Sequence, residues 1–306
     1  MTSGFYLTLD LPGTRINPNI HLGPNRPACE RKSIMSRIVA FQGERGANSE
    51  DAVVKFFGEV QVLPCRTLHD VFAAVENGAA TDGLIPIENS QAGSINDSYD
   101  LLLKHPLNIT GEVNLQVNHC LQSLPGESLE TIKQVYSHPQ ALAQCEEFLR
   151  ELGAEKIAVY DTAGSAKMLR EKEMRGCAAI ASRRAAVIYG LEILAQGIQT
   201  NPENYTRFYA ISKHDGPKGE RNKISLVLAT QHRPGCLYWC LGALAYRQIN
   251  LTKLESRPSR NRPWEYIFYL DIEGHITDEA CQEAIAELKT KTTMLRVLGS
   301  YPAAQE

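Results

Sequence analysis

The sequence lacks the features that mark membrane, secreted and nucleic-acid-binding proteins. No stretch of the 306 residues approaches 18 consecutive apolar positions, so no membrane-spanning helix is predicted. The first 34 residues contain no uninterrupted apolar run with a basic flank, which predicts no secretory signal. A formal net charge of −3 argues against general binding of nucleic acid.

Metal-binding and cofactor-binding motifs are also missing. The eight cysteines are scattered without a Cys-x-x-Cys pair, which indicates reduced thiols in a cytoplasmic protein and predicts no zinc site. The sequence contains no Gly-x-Gly-x-x-Gly, no phosphate loop and no His-Glu-x-x-His. There is no Gly-x-Ser-x-Gly elbow for a nucleophilic serine. Chemistry without a metal or a cofactor is therefore predicted.

What is present is an ordinary globular composition, 43% hydrophobic and 22% charged, in a chain long enough for two domains. Residues 1–36 are punctuated by proline and glycine, which predicts a disordered extension. Residues 37–213 show two successive α/β halves with a late return, which predicts two lobes and a cleft, the second lobe spanning about 116–190. The charged, glycine-containing residues 214–222 predict a linker.

Residues 223–300 predict a separate small domain. Strands are expected at 223–230, 249–256, 264–273 and 293–298, and helices at 235–246 and 278–290. This order is the ferredoxin-like βαββαβ motif. Such a module exposes a sheet edge, which favours pairing with a second copy.

Polar residues stand where predicted strands turn into helices. They are Asn89-Ser90, Ser137 with Gln140 and Gln144, and Asp161-Thr162, with further turns at Gly93-Ser94 and 43–49. Helix N-termini carry unpaired N–H groups and a partial positive charge, which favour carboxylates. Several of them aimed at one cleft would hold a small dianion without a metal, although each one alone is equally typical of a helix cap.

A hydroxyl, a fixed cation and an aromatic ring follow one another at Thr206, Arg207 and Phe208. In a strand, Thr206 and Phe208 would face one way and Arg207 the other. A threonine hydroxyl in a closed pocket can donate a hydrogen bond or a proton to a leaving oxygen. An ordinary edge strand is the alternative interpretation.

Six separated motifs together resemble those of the prephenate dehydratases and the closely related arogenate dehydratases. The motifs are Phe41–Glu44 with Gly46–Ser49, Pro86–Ser90 with Gly93-Ser94, Asn118–Leu121, Ser137–Cys145, Tyr160–Lys167 and Asn204–Phe208. Residues 249–253 and 255–259 resemble the phenylalanine-sensing ACT domain. The resemblance covers about residues 37–300 and implies a two-lobed, periplasmic-binding-protein-like α/β catalytic domain followed by an ACT domain.

The resemblance implies decarboxylative dehydration of prephenate to phenylpyruvate, a step of phenylalanine biosynthesis. Thr206 would donate to the departing ring hydroxyl, with Asn89, Ser137 and Gln144 as the other catalytic residues. Arg207 would bind substrate carboxylates and Phe208 would pack against the ring. The remaining implied substrate-binding residues are Ser49, Ser90, Gly93, Ser94, His138, Thr162 and Asn204.

The ACT resemblance implies feedback control by phenylalanine bound between the modules of two chains, and hence a homodimer or homotetramer. The implied effector residues are Gly235, Leu237, Asn250, Glu255, Ser256, Arg257 and Pro258. Cys236 stands where the family usually has alanine, which predicts a tuned effector pocket. Asn48 stands where an aromatic residue is common and borders the predicted cleft.

Two alternatives stay open. An arogenate dehydratase would act on a substrate that differs at one carbonyl or ammonium centre, and the motifs do not discriminate. A non-catalytic sensor of aromatic amino acids would not need the Thr206 hydroxyl. Residues 1–36 are too few and too rich in proline and glycine for the chorismate mutase domain fused in some relatives, so a monofunctional enzyme is expected. They also lack the composition of a transit peptide, which favours the cytoplasm.

Overall fold

The computed structural model describes residues 37–259 and 266–304, which form three β-sheets flanked by helices. The extension predicted at residues 1–36 lies outside the described residues. No helix in the described part of the chain is both long and apolar enough to cross a bilayer.

Strands and helices alternate through most of the chain. The strands are β1 (Ile38–Gln42), β2 (Gln61–Cys65), β3 (Asp82–Asn89), β4 (Gly93–Ser94), β5 (Asn108–Gln116), β6 (Cys120–Ser123), β7 (Gln134–Ser137), β8 (Glu155–Ala158), β9 (Cys177–Ala181), β10 (Glu192–Gln196), β11 (Tyr205–Ser212), β12 (Asn222–Ala229), β13 (Leu251–Pro258), β14 (Tyr266–Glu273) and β15 (Met294–Pro302). The helices are α1 (Asn48–Phe57), α2 (Leu68–Asn77), α3 (Asn96–Lys104), α4 (Pro139–Gln144), α5 (Glu146–Leu152), α6 (Thr162–Glu171), α7 (Arg183–Tyr189), α8 (Cys236–Ala245) and α9 (Glu279–Lys291), with a short 3-10 helix at Leu129–Thr131.

The first lobe is built on a sheet with the strand order β2-β1-β3-β11-β5, to which β4 adds at β3. Strand β1 is parallel to both of its neighbours, so the strand ends that precede α1 and α2 lie at the same edge. Strand β11 returns from the second lobe and runs antiparallel between β3 and β5. This return places its first residues beside the polar end of β3.

The second lobe has the strand order β10-β6-β9-β7-β8. Strand β9 is buried along its whole length, as its run of small apolar residues predicts. Its successor α7 is capped by Ser182, whose side chain accepts a hydrogen bond from the N–H of Ala185. Because β10 pairs with β6, this sheet continues past residue 190, where the second lobe was predicted to end.

The two lobes pack directly against each other. Val39 and Phe41 of β1 share a hydrophobic cluster with Ala179 of β9 and Ala185 of α7. Gly46 has a φ of +84°, and a Cβ on it would lie 2.7 Å from the Ala185 Cα, so this approach requires glycine. The predicted two-lobed architecture is confirmed, and its lobes are held in contact.

The C-terminal part forms the predicted βαββαβ domain, with the antiparallel strand order β13-β14-β12-β15. Helices α8 and α9 cover one face of this sheet. Its other face packs on the first lobe, because Tyr269 and Tyr301 belong to the same cluster as Ile109 and Tyr209. A Cβ on Gly299 of β15 would lie 2.1 Å from the Ile109 carbonyl oxygen of β5, so the two backbones are in direct contact.

Candidate active site

Asn89 and Thr206 face each other at the start of β11, as register partners on β3 and β11. The Asn89 Nδ2 atom lies 3.0 Å from the Thr206 Oγ1 atom. The Asn89 Oδ1 atom accepts hydrogen bonds from the backbone N–H groups of Gln91, at 3.1 Å, and Ala92, at 2.9 Å. These two bonds fix the orientation of the amide, since only its oxygen can accept them. Asn89 therefore donates to the Thr206 oxygen and leaves the Thr206 hydroxyl proton available for another acceptor.

The hydrogen bonds continue from Asn89 into the second lobe. Asn89 Nδ2 lies 2.8 Å from Asn204 Oδ1, and Asn204 Nδ2 lies 3.1 Å from Gln144 Oε1. The same Gln144 oxygen lies 2.8 Å from His119 Nε2. Because an amide oxygen only accepts, His119 must donate through Nε2. Burial lowers the pKa of His119, more than its hydrogen bond to Gln144 raises it, so the ring is held neutral.

Two adjoining cavities open around this network. The first, of about 120 Å³, is lined by Thr206, Asn89, His119 and Gln144 and also by Asn48, Val117, His138, Gln140, Ala141 and Thr162. The second, of about 250 Å³, is lined by Gln42, Ala47, Asn48, Ser49, Arg66, His138, Tyr160, Asp161 and Thr162. The shared residues Asn48, His138 and Thr162 make the two cavities one polar cleft with walls from both lobes.

Two helix N-termini and one cationic side chain border the cleft. Asn48 is the first residue of α1 and Thr162 the first residue of α6, and each helix has ten residues. Helix N-termini favour an anion, but at the start of α6 the Asp161 carboxylate already accepts from the Ala163 N–H at 3.2 Å. Arg66 is exposed and directly follows β2. Among the described residues that line the two cavities, it is the one with a permanently cationic side chain.

Arg66 and His119 were missed as site residues in the sequence. Arg66 belongs to none of the recognised motifs, and its one signal is its position after a strand parallel to β1. His119 lies inside the Asn118–Leu121 motif but has no metal-ligand spacing, so its only sequence signal is its place in that motif. Its ring nevertheless lines the smaller cavity.

The structure brings six of the thirteen predicted catalytic and substrate-binding residues to the walls of the cleft. Asn89, Gln144 and Thr206 line the smaller cavity, and Asn204 connects them by hydrogen bonds. Three more predicted residues line one or both cavities, namely Ser49, His138 and Thr162.

Ser137 and Phe208 take other positions. The Ser137 Oγ atom is fully buried and donates to the Ile180 carbonyl oxygen at 2.7 Å, so its proton is already used within the second sheet. Phe208 is 2% exposed and packs in the hydrophobic cluster between the lobes. Ser137 and Phe208 were expected to contact the substrate. In the structure both side chains are buried in the protein core and do not line the cleft.

Arg207 points away from the cleft, as strand alternation allows. Its guanidinium forms an ion pair with Glu88 and lies 3.6 Å from a Glu112 oxygen and 3.5 Å from an Asp271 oxygen. Asp271 belongs to β14 of the βαββαβ domain. The expectation that Arg207 binds substrate carboxylates is corrected accordingly, since carboxylates of the protein surround it.

Ser90, Gly93 and Ser94 also lie outside the cleft around Thr206. Together with Arg207 they line a separate cavity of about 440 Å³, whose other walls are Lys55, Glu88, Asn89, Asn114 and Tyr205. Ser90 supports the site indirectly, because its Oγ atom accepts a hydrogen bond from the N–H of Tyr205 at 2.9 Å. That bond holds the beginning of β11 against the end of β3.

The residues implied for effector binding fall into two groups. Gly235 and Leu237 line a cavity of about 320 Å³ at the start of α8. Ser256 and Pro258 are register partners of Phe268 and Tyr266, two further residues of that cavity wall.

The other implied effector residues face elsewhere. Glu255 accepts a hydrogen bond from Ser94 Oγ at 2.9 Å, and Arg257 lies 3.8 Å from Asp100, so both side chains contact the first lobe. Asn250 precedes β13, at the end of the strand away from Pro258.

Comparison with known proteins identifies the family. A family model described as prephenate dehydratase matches residues 39–216. The "Arogenate dehydratase/prephenate dehydratase 2, chloroplastic" of Arabidopsis thaliana is 45% identical over 279 residues, which are 87% of this chain and 73% of that relative.

Two solved structures resemble the whole fold. The prephenate dehydratase of Arthrobacter aurescens in complex with L-Phe matches with a TM-score of 0.80 and 31% identity, over 87% of this chain and 89% of that one. GqqA, described as a novel type of quorum quenching acylases, matches with a TM-score of 0.82 and 37% identity, over 87% of this chain and 98% of that one.

The expected cytoplasmic location is contradicted by these comparisons. Three of the Arabidopsis thaliana relatives, at 45–46% identity, are named as chloroplastic. The expectation depended on the composition of residues 1–36, and transit peptides have only a loose compositional signature. The names of the relatives point to a plastid instead.

Proposed function

The chain belongs to the prephenate dehydratase family of lyases, and on this premise we propose that it converts prephenate to phenylpyruvate in the cleft around Thr206 and Asn89. The observation that carries the proposal is the state of the Thr206 hydroxyl. Its oxygen accepts a hydrogen bond from Asn89 while its proton points to no acceptor among the described residues. It therefore stands ready to donate to an oxygen in the cavity.

The reaction breaks two bonds of the substrate. The C–O bond to the ring hydroxyl breaks as that oxygen accepts a hydrogen bond from Thr206, and the oxygen departs as water after taking up one proton that comes from solvent. The C–C bond to the ring carboxylate breaks as carbon dioxide leaves, and its electron pair completes the aromatic ring. Aromatisation supplies the driving force, so the protein needs only to orient the substrate and to stabilise charge on the leaving oxygen.

The neutral amide network keeps Thr206 in place without competing for its proton. Asn89 donates a hydrogen bond to Asn204, and Asn204 donates one to Gln144. The Gln144 oxygen also accepts a hydrogen bond from His119. His119 donates from Nε2 to Gln144, which places its hydrogen on that nitrogen, and burial keeps the ring neutral by lowering its pKa.

Arg66 and the N-terminus of α1 are proposed to hold the substrate carboxylates. The substrate of this family carries two carboxylates, and a bond between a guanidinium and a carboxylate is charge-assisted and geometrically specific. The cavity that contains Arg66 adjoins the cavity that contains Thr206 through three shared wall residues. We propose that one substrate molecule occupies both cavities and contacts both groups.

Arogenate dehydration is the second candidate, and one residue favours it. The cavity wall beside Arg66 includes the carboxylate of Asp161, whose Oδ1 accepts from Ala163 N–H at 3.2 Å and whose Oδ2 accepts from Glu44 N–H at 3.0 Å. A carboxylate at this place would attract the ammonium group of arogenate. The keto group of prephenate would gain nothing from it.

We further propose that the βαββαβ domain is an ACT domain that binds phenylalanine. Support comes from the cavity at Gly235 and Leu237, and from the relative solved in complex with L-Phe. On α8, Tyr238 is 64% exposed and Trp239 is 54% exposed. Large aromatic side chains left on a surface mark a protein interface, which fits a second copy that completes the effector site.

The test is turnover by the purified chain with prephenate and arogenate offered in parallel, each with and without phenylalanine. Formation of phenylpyruvate from prephenate, suppressed by phenylalanine, would support the catalytic and the regulatory proposals together. Formation of phenylalanine from arogenate alone would transfer the proposal to the second candidate. Binding of phenylalanine without turnover of either substrate would refute the catalytic role of Thr206 and leave a sensor.

A further inference from the structure

Two pairs of side chains meet on consecutive rungs of β3 and β11. Asn89 is the register partner of Thr206, and Glu88 is the register partner of Arg207. The first pair faces the cleft, whereas the second pair faces the βαββαβ domain. Any force on Glu88 and Arg207 therefore acts on the backbone that carries the catalytic pair.

The βαββαβ domain holds this second pair through two side chains. Lys253 of β13 is 8% exposed and forms an ion pair with Glu88. Asp271 of β14 is 4% exposed and lies 3.5 Å from Arg207. Asp271 is fixed in turn by hydrogen bonds from Tyr209 Oη at 2.7 Å and Ser225 Oγ at 2.6 Å.

We infer that Lys253 and Asp271 are positioning residues for the reaction, because they hold Glu88 and Arg207 and thereby fix the strand ends that carry Asn89 and Thr206. This assignment rests on the proposed function of the cleft. It makes the small domain a working part of the catalytic geometry, even in the absence of any effector.

The energetics of burial support this assignment. A buried charge that loses its partner is strongly destabilising, and this applies to Arg207, whose side chain is 13% exposed, more than to Glu88, whose side chain is 32% exposed. Against the raising effect of burial, the hydrogen bond from Lys253 and the charge of Arg207 lower the pKa of Glu88 and keep it ionised. Movement of Lys253 would therefore remove one of the two cations that hold Glu88 and leave Arg207 as the other.

The cluster has room to rearrange. Arg207 Nε and Glu112 Oε2 are buried and have no hydrogen-bond partner among the described residues. The contacts of Arg207 with Glu112 and Asp271 exceed hydrogen-bond length. The pairing of β3 with β11 also shifts register between Arg207 and Phe208, which loosens the ladder at this point. A small displacement of the βαββαβ domain can thus change which carboxylates pair with Arg207. Such a change would shift the ends of β3 and β11.

The same contacts offer a route for regulation. Lys253, Glu255 and Arg257 alternate along β13 and all three contact the first lobe. Glu255 and Arg257 belong to the segment implied in effector binding. A ligand that moves this segment would move Lys253 with it, since all three are fixed to one strand.

The experiment compares the full-length variants Lys253→Met, Lys253→Arg and Arg296→Met. Arg296 is the matched control because it is a cation on the same face of the small domain, donating to the Leu103 and His105 carbonyl oxygens at 3.0 Å and 2.7 Å. Misplacement of reacting groups by about 1 Å can cost about 100-fold in rate, so Lys253→Met should lower kcat by at least about tenfold with KM nearly unchanged. Lys253→Arg should recover most of kcat, and Arg296→Met should retain it.

A double variant tests whether Lys253 acts through Glu88. If it does, Lys253→Met should add little to the loss caused by Glu88→Gln alone, because coupled residues are not additive. Hydrogen exchange supplies a readout that needs no activity: exchange should rise at residues 85–92 and 204–208 in Lys253→Met but not in Arg296→Met.

Three results would overturn the inference: a normal kcat in Lys253→Met, equal losses in Lys253→Met and Arg296→Met, or unchanged exchange at both strand ends. Failure of the proposed function has a different signature. In that case the unaltered chain turns over neither prephenate nor arogenate, while the exchange difference between the two variants is still measurable.

Discussion

Thr206 and Arg207 are adjacent in the chain and project to opposite faces of β11. Thr206 lines the cleft between the lobes, whereas Arg207 reaches Glu88 on its own lobe and Asp271 on the βαββαβ domain. A single peptide unit therefore joins the proposed proton donor to the interface with the βαββαβ domain. The proposed donor and the contact with the βαββαβ domain thus lie on consecutive rungs of one sheet.

Removal of the Thr206 hydroxyl should abolish most turnover without unfolding the protein. A positioned donor contributes roughly 10²–10⁴-fold in rate, so kcat of Thr206→Ala should fall by about that factor. Asn89 Nδ2 keeps Asn204 Oδ1 and the Tyr205 carbonyl oxygen as acceptors, so no buried amide loses its partners. Steady-state kinetics and the melting temperature check both parts.

Thr206→Ser is the matched control for that experiment. It retains the hydroxyl and should retain most of the turnover. Near-normal kcat in Thr206→Ala would show that the hydroxyl is not the donor.

Replacement of Arg66 should weaken substrate binding more than it slows the chemical step. A hydrogen bond to a charged group contributes about 1.5–3 kcal/mol, so KM of Arg66→Gln should rise by about tenfold or more. Because Arg66 is exposed, stability should be unaffected. The control is Arg175→Gln, an exposed arginine that lies 3.5 Å from Glu127 and lines neither cavity of the cleft. A similar rise of KM in both variants would contradict a specific role for Arg66.

The free energy of unfolding should depend on the protonation of His119. Burial lowers the pKa of His119 in the folded state below the usual value near 6.5. As the pH falls below about 6.5, the unfolded chain binds a proton that the folded chain resists, so stability decreases until the folded pKa is reached. The contribution is fully present above pH about 6.5.

Thermal unfolding of the unaltered chain and of His119→Gln across pH 5–8 measures this contribution. The variant should show a flatter dependence on pH below about 6.5, since glutamine does not titrate. The exposed His232, changed to Gln as a control, should leave the dependence intact. An unchanged slope in His119→Gln would mean that other groups cause it.

The close contact at Gly299 should tolerate no side chain. A Cβ there would lie 2.1 Å from the Ile109 carbonyl oxygen and 2.8 Å from the Ile109 nitrogen, so backbone must move. Overpacking of this kind costs typically about 1–3 kcal/mol, and Gly299→Ala should lower the free energy of unfolding by that amount in urea. Gly242→Ala is the control. Gly242 lies in helix α8, and a Cβ on it would have no atom closer than 3.4 Å. Equal stability of the two variants would contradict the described packing of β15 on β5.

The elements of the fold were predictable because apolar periodicity and helix caps are local signals. The βαββαβ order was read from such patterns, and the observed strands begin and end within a few residues of the predicted ones. The end of the second lobe was harder to place. Strand β10 joins the second sheet only by pairing with β6, about seventy residues earlier, and no local pattern records that pairing.

The candidate site was only partly predictable, because residue type does not say which neighbours a side chain will meet. Alternation predicted that Thr206 and Arg207 face apart, but not which of them faces the cleft. Ser137 has the chemistry of a donor, and its proton goes to a carbonyl group 43 residues away. Arg66 has no motif, and only the folded arrangement of β1 and β2 brings it to the cleft.

The first lobe and the βαββαβ domain are held together by packing, so the linker between them is not needed to keep them in contact. Residues 213–221 are the only covalent bridge from β11 to β12, yet Tyr209, Tyr269 and Tyr301 lie in one hydrophobic cluster that includes both parts. A protease that cleaved within 213–221 would therefore nick the chain without releasing either fragment. The same two fragments, synthesised from separate genes, should find each other and reassemble, because the cohesion between them is non-covalent.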